Sequence, residues 1–274
     1  MDSTSRKLIP LNRRWHQALL AVIRHPDQAN IHHFRVSVKK LRVLTSVLPD
    51  RWKATSELKK SFRRIDQLFD QAGMVREGQL HLKLLEEITP KPPEKFLSRL
   101  NNRTSEAMQE FETALAKCPK QQMQKLWISL ECEIENLDGR DFLLHLNKKL
   151  EAEFKAIHRR LAPGRSNPRL HDLRIHLRRA YELVGILRLI SGNPELDAII
   201  TSLHHLIDAI GNWHDLKGLS KNLALEGKRA ERSDAGQNIA ELQKAVKRSL
   251  ERHEAQIDLL LEEARQEPSS PDQG

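Results

Sequence analysis

Residues 31–42, IHHFRVSVKKLR, return in altered form as LHDLRIHLRRAY at residues 170–181. His32 falls on His171, Arg35 on Arg174, Lys39 on Arg178 and Lys40 on Arg179, each 139 residues later (171 − 32 = 139). A second pair of segments, IDQLFDQAGMVREG at 65–78 and LHHLIDAIGNWHDL at 203–216, sets Gly73 on Gly211 at an offset of 138 (211 − 73 = 138). Separate matches whose offsets agree within one residue argue for an internal duplication. The chain should then fold as two copies of one unit.

Apolar residues recur at helical spacing nearly throughout, and clusters of Pro and Gly punctuate them. The spacing predicts helices over about 10–24, 28–48 and 55–88, the last kinked near Gly73, then 93–117 and 120–136. The order begins again with helices over about 141–161, 169–190, 195–227, kinked near Gly211, and 229–266. No segment reads as a strand. The expected fold is all-α: two tandem four-helix bundles related by internal pseudo-two-fold symmetry. Residues 1–7 form an N-terminal tail in this scheme, 8–139 the first repeat, 140–266 the second and 267–274 a disordered tail.

The first copy carries an unusual charge pattern. No Asp or Glu occurs from Ile31 to Pro49, while two His, two Arg and two Lys do. At about 100° per residue, His32, Arg35, Lys39 and Arg42 fall within an arc of roughly 80°. Phe34, Val38, Leu41, Leu44 and Leu48 lie on the other side and should face a core. His171, Arg174 and Arg178 repeat the stripe in the second copy, with Gly185 where the first has Ser46. Like charges one turn apart repel by a few tenths of a kcal/mol per pair. A solvated basic face is the ordinary account of such a stripe. Its duplication, and the missing acids in the first copy, favour a ligand instead. Two facing stripes would form a basic central groove for an extended polyanion, held by charge-assisted hydrogen bonds. The formal net charge of +9 agrees with a polyanionic partner.

At these residues the chain resembles the CHAD (conserved histidine α-helical) domain. The motif HxxRVxxKKLR at 32–42, its counterpart HxxRIxxRR at 171–179 and GNWHD at 211–215 carry the likeness, which extends over roughly 8–265. The resemblance implies two four-helix bundles with a basic central surface that binds inorganic polyphosphate, often at polyphosphate granules. It assigns the contacts to His32, Arg35, Lys39, Lys40, Arg42, His171, Arg174, Arg178 and Arg179, with His214 and Lys217 added from the second Gly segment. The chain departs from the pattern at Ala180, at Tyr181, where a basic residue is usual, and at Glu77, where the family has Asp. EIENL at 133–137 lacks the lysine of the ExExK motif of the triphosphate-tunnel domains sometimes fused to this one, so a stand-alone CHAD protein is expected. A histidine, with its ordinary pKa near 6.5, favours its charged form beside phosphates, so binding should tighten between about pH 8 and 6.

Other chemistries find little support. The adjacent pairs His32-His33 and His204-His205 project about 100° apart on a helix and cannot easily chelate one ion, and HExxH is absent, so no resident metal or cofactor is expected. Divalent cations would only accompany the polyanion. No Gly-rich phosphate loop, GxSxG or paired-carboxylate cluster suggests an enzyme, and His214-Asp215 reads as a basic-surface histidine beside a helix-favouring acid. A general nucleic-acid-binding or scaffolding protein using the same basic surface is the alternative. Aromatics at 4% and the lack of a helix-turn-helix or RNA-binding signature weigh against specific nucleic-acid readout. Two isolated cysteines, no apolar leader at the N-terminus and no apolar run of membrane-spanning length point to a cytoplasmic protein.

Overall fold

The computed structural model describes residues 2–49, 52, 55–161, 170–230 and 236–266. Among these residues nine α-helices account for the regular structure, and there is no strand. They are α1 (Ser3–Arg24), α2 (Gln28–Val47), α3 (Ser56–Ile88), α4 (Glu94–Ala116), α5 (Lys120–Glu135), α6 (Gly139–Leu161), α7 (Leu170–Ser191), α8 (Leu196–Ala230) and α9 (Gly236–Gln266). The expected C-terminal tail, 267–274, lies outside the described residues.

The structure differs from expectation at Pro10, Gly73 and Gly211, which do not break their helices. α1 starts at Ser3 rather than at Pro10, and Pro10 lies inside it. The Asp2 carboxylate accepts from the Ser3 N–H at 2.6 Å, and Thr4, Ser5, Leu8 and Ile9 are buried, so the first turns are held by a cap and by packing. Pro10 forfeits one helical hydrogen bond, and these contacts offset that loss. α3 and α8 run without interruption through Gly73 and Gly211. α7 does end on glycine: Gly192 has φ 73°, the left-handed region that a Cβ disfavours, and its N–H bonds the Arg188 carbonyl at 3.0 Å.

The residues group into two compact units, each assembled from three stretches of chain. The first takes its residues from 1–80, 99–150 and 182–196, and the second from 81–98, 151–181 and 197–274. In the first unit α1 packs against α2 and α5. Its core includes Leu8, Trp15, Leu19, Phe34, Ile65, Leu68, Phe111, Leu126 and Leu130, all essentially inaccessible to water. Each such side chain contributes about 1.5–3 kcal/mol by leaving water. The Trp52 Nε1–H donates to Ser129 Oγ at 3.1 Å, so that the indole keeps its polar contact while buried. Of the two cysteines, Cys118 is buried in this core and Cys132 is exposed on α5. Burial pushes the Cys118 thiol pKa up, against the weaker pull of Arg64 and Lys120.

The second unit buries Leu173 and Leu177 of α7, Ile210, Leu219 and Leu223 of α8, and Val246 and Ile257 of α9. Trp213 is also buried there, its Nε1–H donating to Glu254 Oε1 at 2.9 Å.

One histidine ties the first unit's stability to pH. The ring of His16 stacks on Trp127, with centroids 4.6 Å apart and planes 9° from parallel. Burial outweighs the nearby Glu131 charge and holds its pKa below the ordinary value of 6.5. The unfolded chain therefore binds the extra proton, and this contribution to stability is present above about pH 6.5 and lost as pH falls below it. A His16→Phe variant, which keeps a ring against Trp127 but cannot titrate, should show a smaller fall in thermal midpoint between pH 7 and 5.5 than the parent protein.

Candidate anion-binding site

In the first unit the basic face belongs to α2. Asp27 caps that helix by accepting from the Asn30 N–H at 2.8 Å. Phe34, Val38, Leu41 and Leu44, with Leu48 just beyond the helix, are buried as their spacing predicts. His32, Lys40 and Arg42 are exposed, and Arg35 and Lys39 are half-buried. Lys40 points about 140° away from Arg35 around the helix. The His32 ring lies edge-on to that of His33, with centroids 5.9 Å apart.

Arg35 is tied to α3. Its Nη1 donates to the backbone carbonyl of Phe69 at 2.6 Å. In a helix that carbonyl is the one accepting from the Gly73 N–H, four residues on. A Cβ at position 73 would sit 2.7 Å from Arg35 Nη1, so the bare glycine is what leaves the carbonyl open to the guanidinium. Arg42 joins the same spot. The guanidinium carbons of Arg35 and Arg42 each lie 4.2 Å from the Phe69 ring centroid, within cation–π range. Arg42 also donates through Nε and Nη2 to Asp66 Oδ1, at 3.1 and 2.6 Å. Both partners are about half exposed, so the ion pair is worth at most about 1 kcal/mol. A Cβ at Gly185 would meet nothing within 4 Å, which agrees with room beside a small residue there.

In the second unit the corresponding face belongs to α7, with α8 beside it. Arg174 lies alongside Gly211, where a Cβ would be 4.0 Å from its Nε and Nη2. The Nε atoms of Arg174 and Arg178 are both buried and have no hydrogen-bond partner among the described residues. Burial is the main cause that lowers the Arg174 pKa; Asp215 opposes the shift and the Arg178 charge adds to it. The His171 and His214 rings stack with centroids 5.6 Å apart and planes 28° from parallel. His214 Nδ1 is 3.5 Å from Asp215 Oδ1. Hence His171, Arg174, Arg178 and His214 form one cluster.

Two predicted contacts are otherwise engaged. Arg179 Nη1 is 3.7 Å from Glu153 Oε1 on α6, and that carboxylate also meets His176 Nδ1 at 2.6 Å. The Lys217 ammonium lies 4.3 Å from the Trp213 ring centroid. Asp66, Phe69 and Glu153 shape these faces and were not singled out from the sequence.

The matched positions also reveal where the two copies differ. Arg42 and Asp66 correspond, at offsets of 139 and 138, to Tyr181 and His204. The first pair is an ion pair; the second is a ring pair with centroids 5.7 Å apart. Phe69, beneath the two guanidiniums of the first copy, corresponds to Ile207 (207 − 69 = 138). The two glycines differ likewise. Gly73→Ala should displace the end of the long Arg35 side chain from the Phe69 carbonyl and weaken polyanion binding several-fold with little loss of stability. Gly211→Ala meets only ordinary contacts and gains helix propensity of about 0.5–1 kcal/mol, so it should raise the thermal midpoint slightly and leave affinity unchanged. Thermal unfolding and binding calorimetry of the two variants check both expectations.

Among the described residues no group of three or more His, Cys, Asp or Glu side chains converges as a metal site. No helix among them is long and apolar enough to cross a membrane. An all-helical chain with two matched basic faces, each laid over a helix at a glycine, is the class these features define. It belongs to the CHAD domain family, which it matches over residues 10–224. Its fold is similar to that in the crystal structure of the CHAD domain from the plant Ricinus communis. The TM-score is 0.64 and the identity 18%, over 95% of this chain and 90% of that one. No curated protein matches the chain.

Proposed function

We propose that this protein binds inorganic polyphosphate without catalysing its turnover, through the basic faces of α2 and α7. Membership of the CHAD domain family supports the reading. The observation that carries it is the pair of buried Arg174 and Arg178 Nε atoms without hydrogen-bond partners among the described residues. A buried donor left unmade costs about 1–3 kcal/mol, and more on a charged group, so such a cluster suits an anionic oxygen. Arginine offers forked donors to phosphate and lysine a movable point charge.

In this proposal His32, Arg35, Lys39, Lys40 and Arg42 contribute from the first copy and His171, Arg174, Arg178 and Arg179 from the second. His214 and Lys217 act from α8, and divalent cations enter only with the polymer. The tandem repeats and the groove expected from the sequence belong to the same proposal, as do a cytoplasmic location and recruitment to polyphosphate granules.

Calorimetric titration with long-chain polyphosphate, in the presence of single-stranded DNA of matched charge, tests it. The Arg35→Ala, Arg174→Ala double variant should lose about 100-fold or more in affinity, since each removed charge-assisted contact is worth about 1.5–3 kcal/mol. Equal affinity for both polymers would instead support a general nucleic-acid binder. Indifference to the double substitution would remove the basic faces from the account. Binding should also tighten from pH 8 to 6 in the parent protein and less in a His32→Ala, His171→Ala variant.

A further inference from the structure

We propose that the second-copy cluster is a short-oligophosphate site that fills on its own, whereas the first-copy face is held partly closed by Asp66 and serves only longer chains. This inference rests on the polyphosphate reading and adds an order of loading and a ligand length to it.

The argument begins with what each guanidinium already has. In the first copy Arg42 spends two donors on Asp66 and its face on Phe69, while Arg35 spends Nη1 on the Phe69 carbonyl. The carboxylate occupies donors that a phosphate would take, while the carbonyl fixes where Arg35 stands. In the second copy the Arg42 position is Tyr181 and the Asp66 position is His204, so no carboxylate pairs with a guanidinium there. Asp208, one turn along α8, pairs with His204 instead, at 2.9 Å. Among the described arginines of the two basic faces, the buried Nε atoms without a hydrogen-bond partner are those of Arg174 and Arg178, in this copy. Arg64 Nε in the first copy is likewise unbonded, but that side chain is turned to Gln67 and the Ala114 carbonyl. Burial and the neighbouring Arg178 charge disfavour the Arg174 charge, with Asp215 opposing them, and the charge of a bound anion would offset both.

Ligand length follows from the helix. His171, Arg174 and Arg178 sit on successive turns of α7, and seven residues at 1.5 Å each span about 10 Å. The stacked His171 and His214 rings extend the cluster onto α8. That reach suits a ligand of a few linked phosphates better than a single orthophosphate. Asp215, beside His214 and Arg174, is the acidic group facing the cluster from α8; Asp172 lies on α7 itself. Glu153 is taken up by His176 and Arg179.

Titration of the full chain with tripolyphosphate and with long-chain polyphosphate tests the proposal, using Arg178→Gln, His171→Ala, Arg42→Gln and Asp66→Asn variants. Tripolyphosphate should bind with one site per chain. Arg178→Gln should lower that affinity at least tenfold and the exposed His171→Ala about threefold, so the test stands even if Arg178→Gln folds poorly. Arg42→Gln and Asp66→Asn should leave tripolyphosphate binding within twofold, while Asp66→Asn raises long-chain affinity about two- to fivefold. Two tripolyphosphate sites, an Arg42→Gln loss equal to that of Arg178→Gln, or long-chain binding without tripolyphosphate binding would overturn the loading order alone. A parent protein that bound neither polymer would overturn the polyphosphate reading with it.

Discussion

Raising monovalent salt from about 50 to 200 mM should weaken long-chain polyphosphate binding by about 300- to 20,000-fold. The expectation follows from counterion release, in which the logarithm of affinity falls by about 0.7–0.9 per neutralised phosphate for each logarithm of salt. Eight cations are candidates: Arg35, Lys39, Lys40, Arg42, Arg174, Arg178, Arg179 and Lys217. Arg42 and Arg179 already face Asp66 and Glu153, so between six and eight should act as new neutralising charges. The slope of a double-logarithmic plot should lie between about −4 and −7. A slope near −1 would mean that a single cation carries the interaction. Measuring titrations at four salt concentrations is sufficient to tell these apart.

The second large effect concerns stability. Phe34 and Phe111 are fully buried in the first unit, with ring centroids 6.5 Å apart. Phe34→Ala or Phe111→Ala should cost about 3–5 kcal/mol, the transfer of a ring plus the cavity it leaves. At roughly 2–4 °C per kcal/mol for a chain of this size class, the thermal midpoint should fall by about 6–20 °C. Phe34 precedes Arg35 on α2, so its loss should also loosen the hold of Arg35 on the Phe69 carbonyl. Phe111 lies on α4, away from that contact in sequence, and serves as the comparison. Midpoint losses under 3 °C for both would show that the core relaxes around the missing rings.

Much of this architecture is written locally. α2 could be read from its apolar spacing and from the Pro49 that follows, because both act on neighbouring residues. The start of α1 could not. Ser3, Thr4 and Ser5 look like loop formers, and they are helical because Asp2 caps them and Thr4 and Ser5 are buried. Gly73 and Gly211 were legible as a matched pair, yet the usual local meaning of glycine pointed to kinks. At Gly73 the close approach of Arg35 supplies the reason for the residue, and that reason lies on another helix.

The basic residues of the site were legible because they repeat. Phe69 and Asp66 were not, because their counterparts Ile207 and His204 have different chemistry, and comparison of the copies highlights only what they share. The orphaned Nε atoms of Arg174 and Arg178 are beyond any sequence pattern. They depend on which neighbours shield each guanidinium and which fail to bond it, and both are properties of packing.

The contrast between the two cysteines makes the chain convenient to tag. Cys132 presents its sulfur to solvent, while Cys118 is shielded in the core with its thiolate disfavoured. Maleimide reagents attack the thiolate and need access to it. A fluorophore can therefore be placed on α5 of the native protein at a single position, with neither cysteine replaced and no basic residue altered.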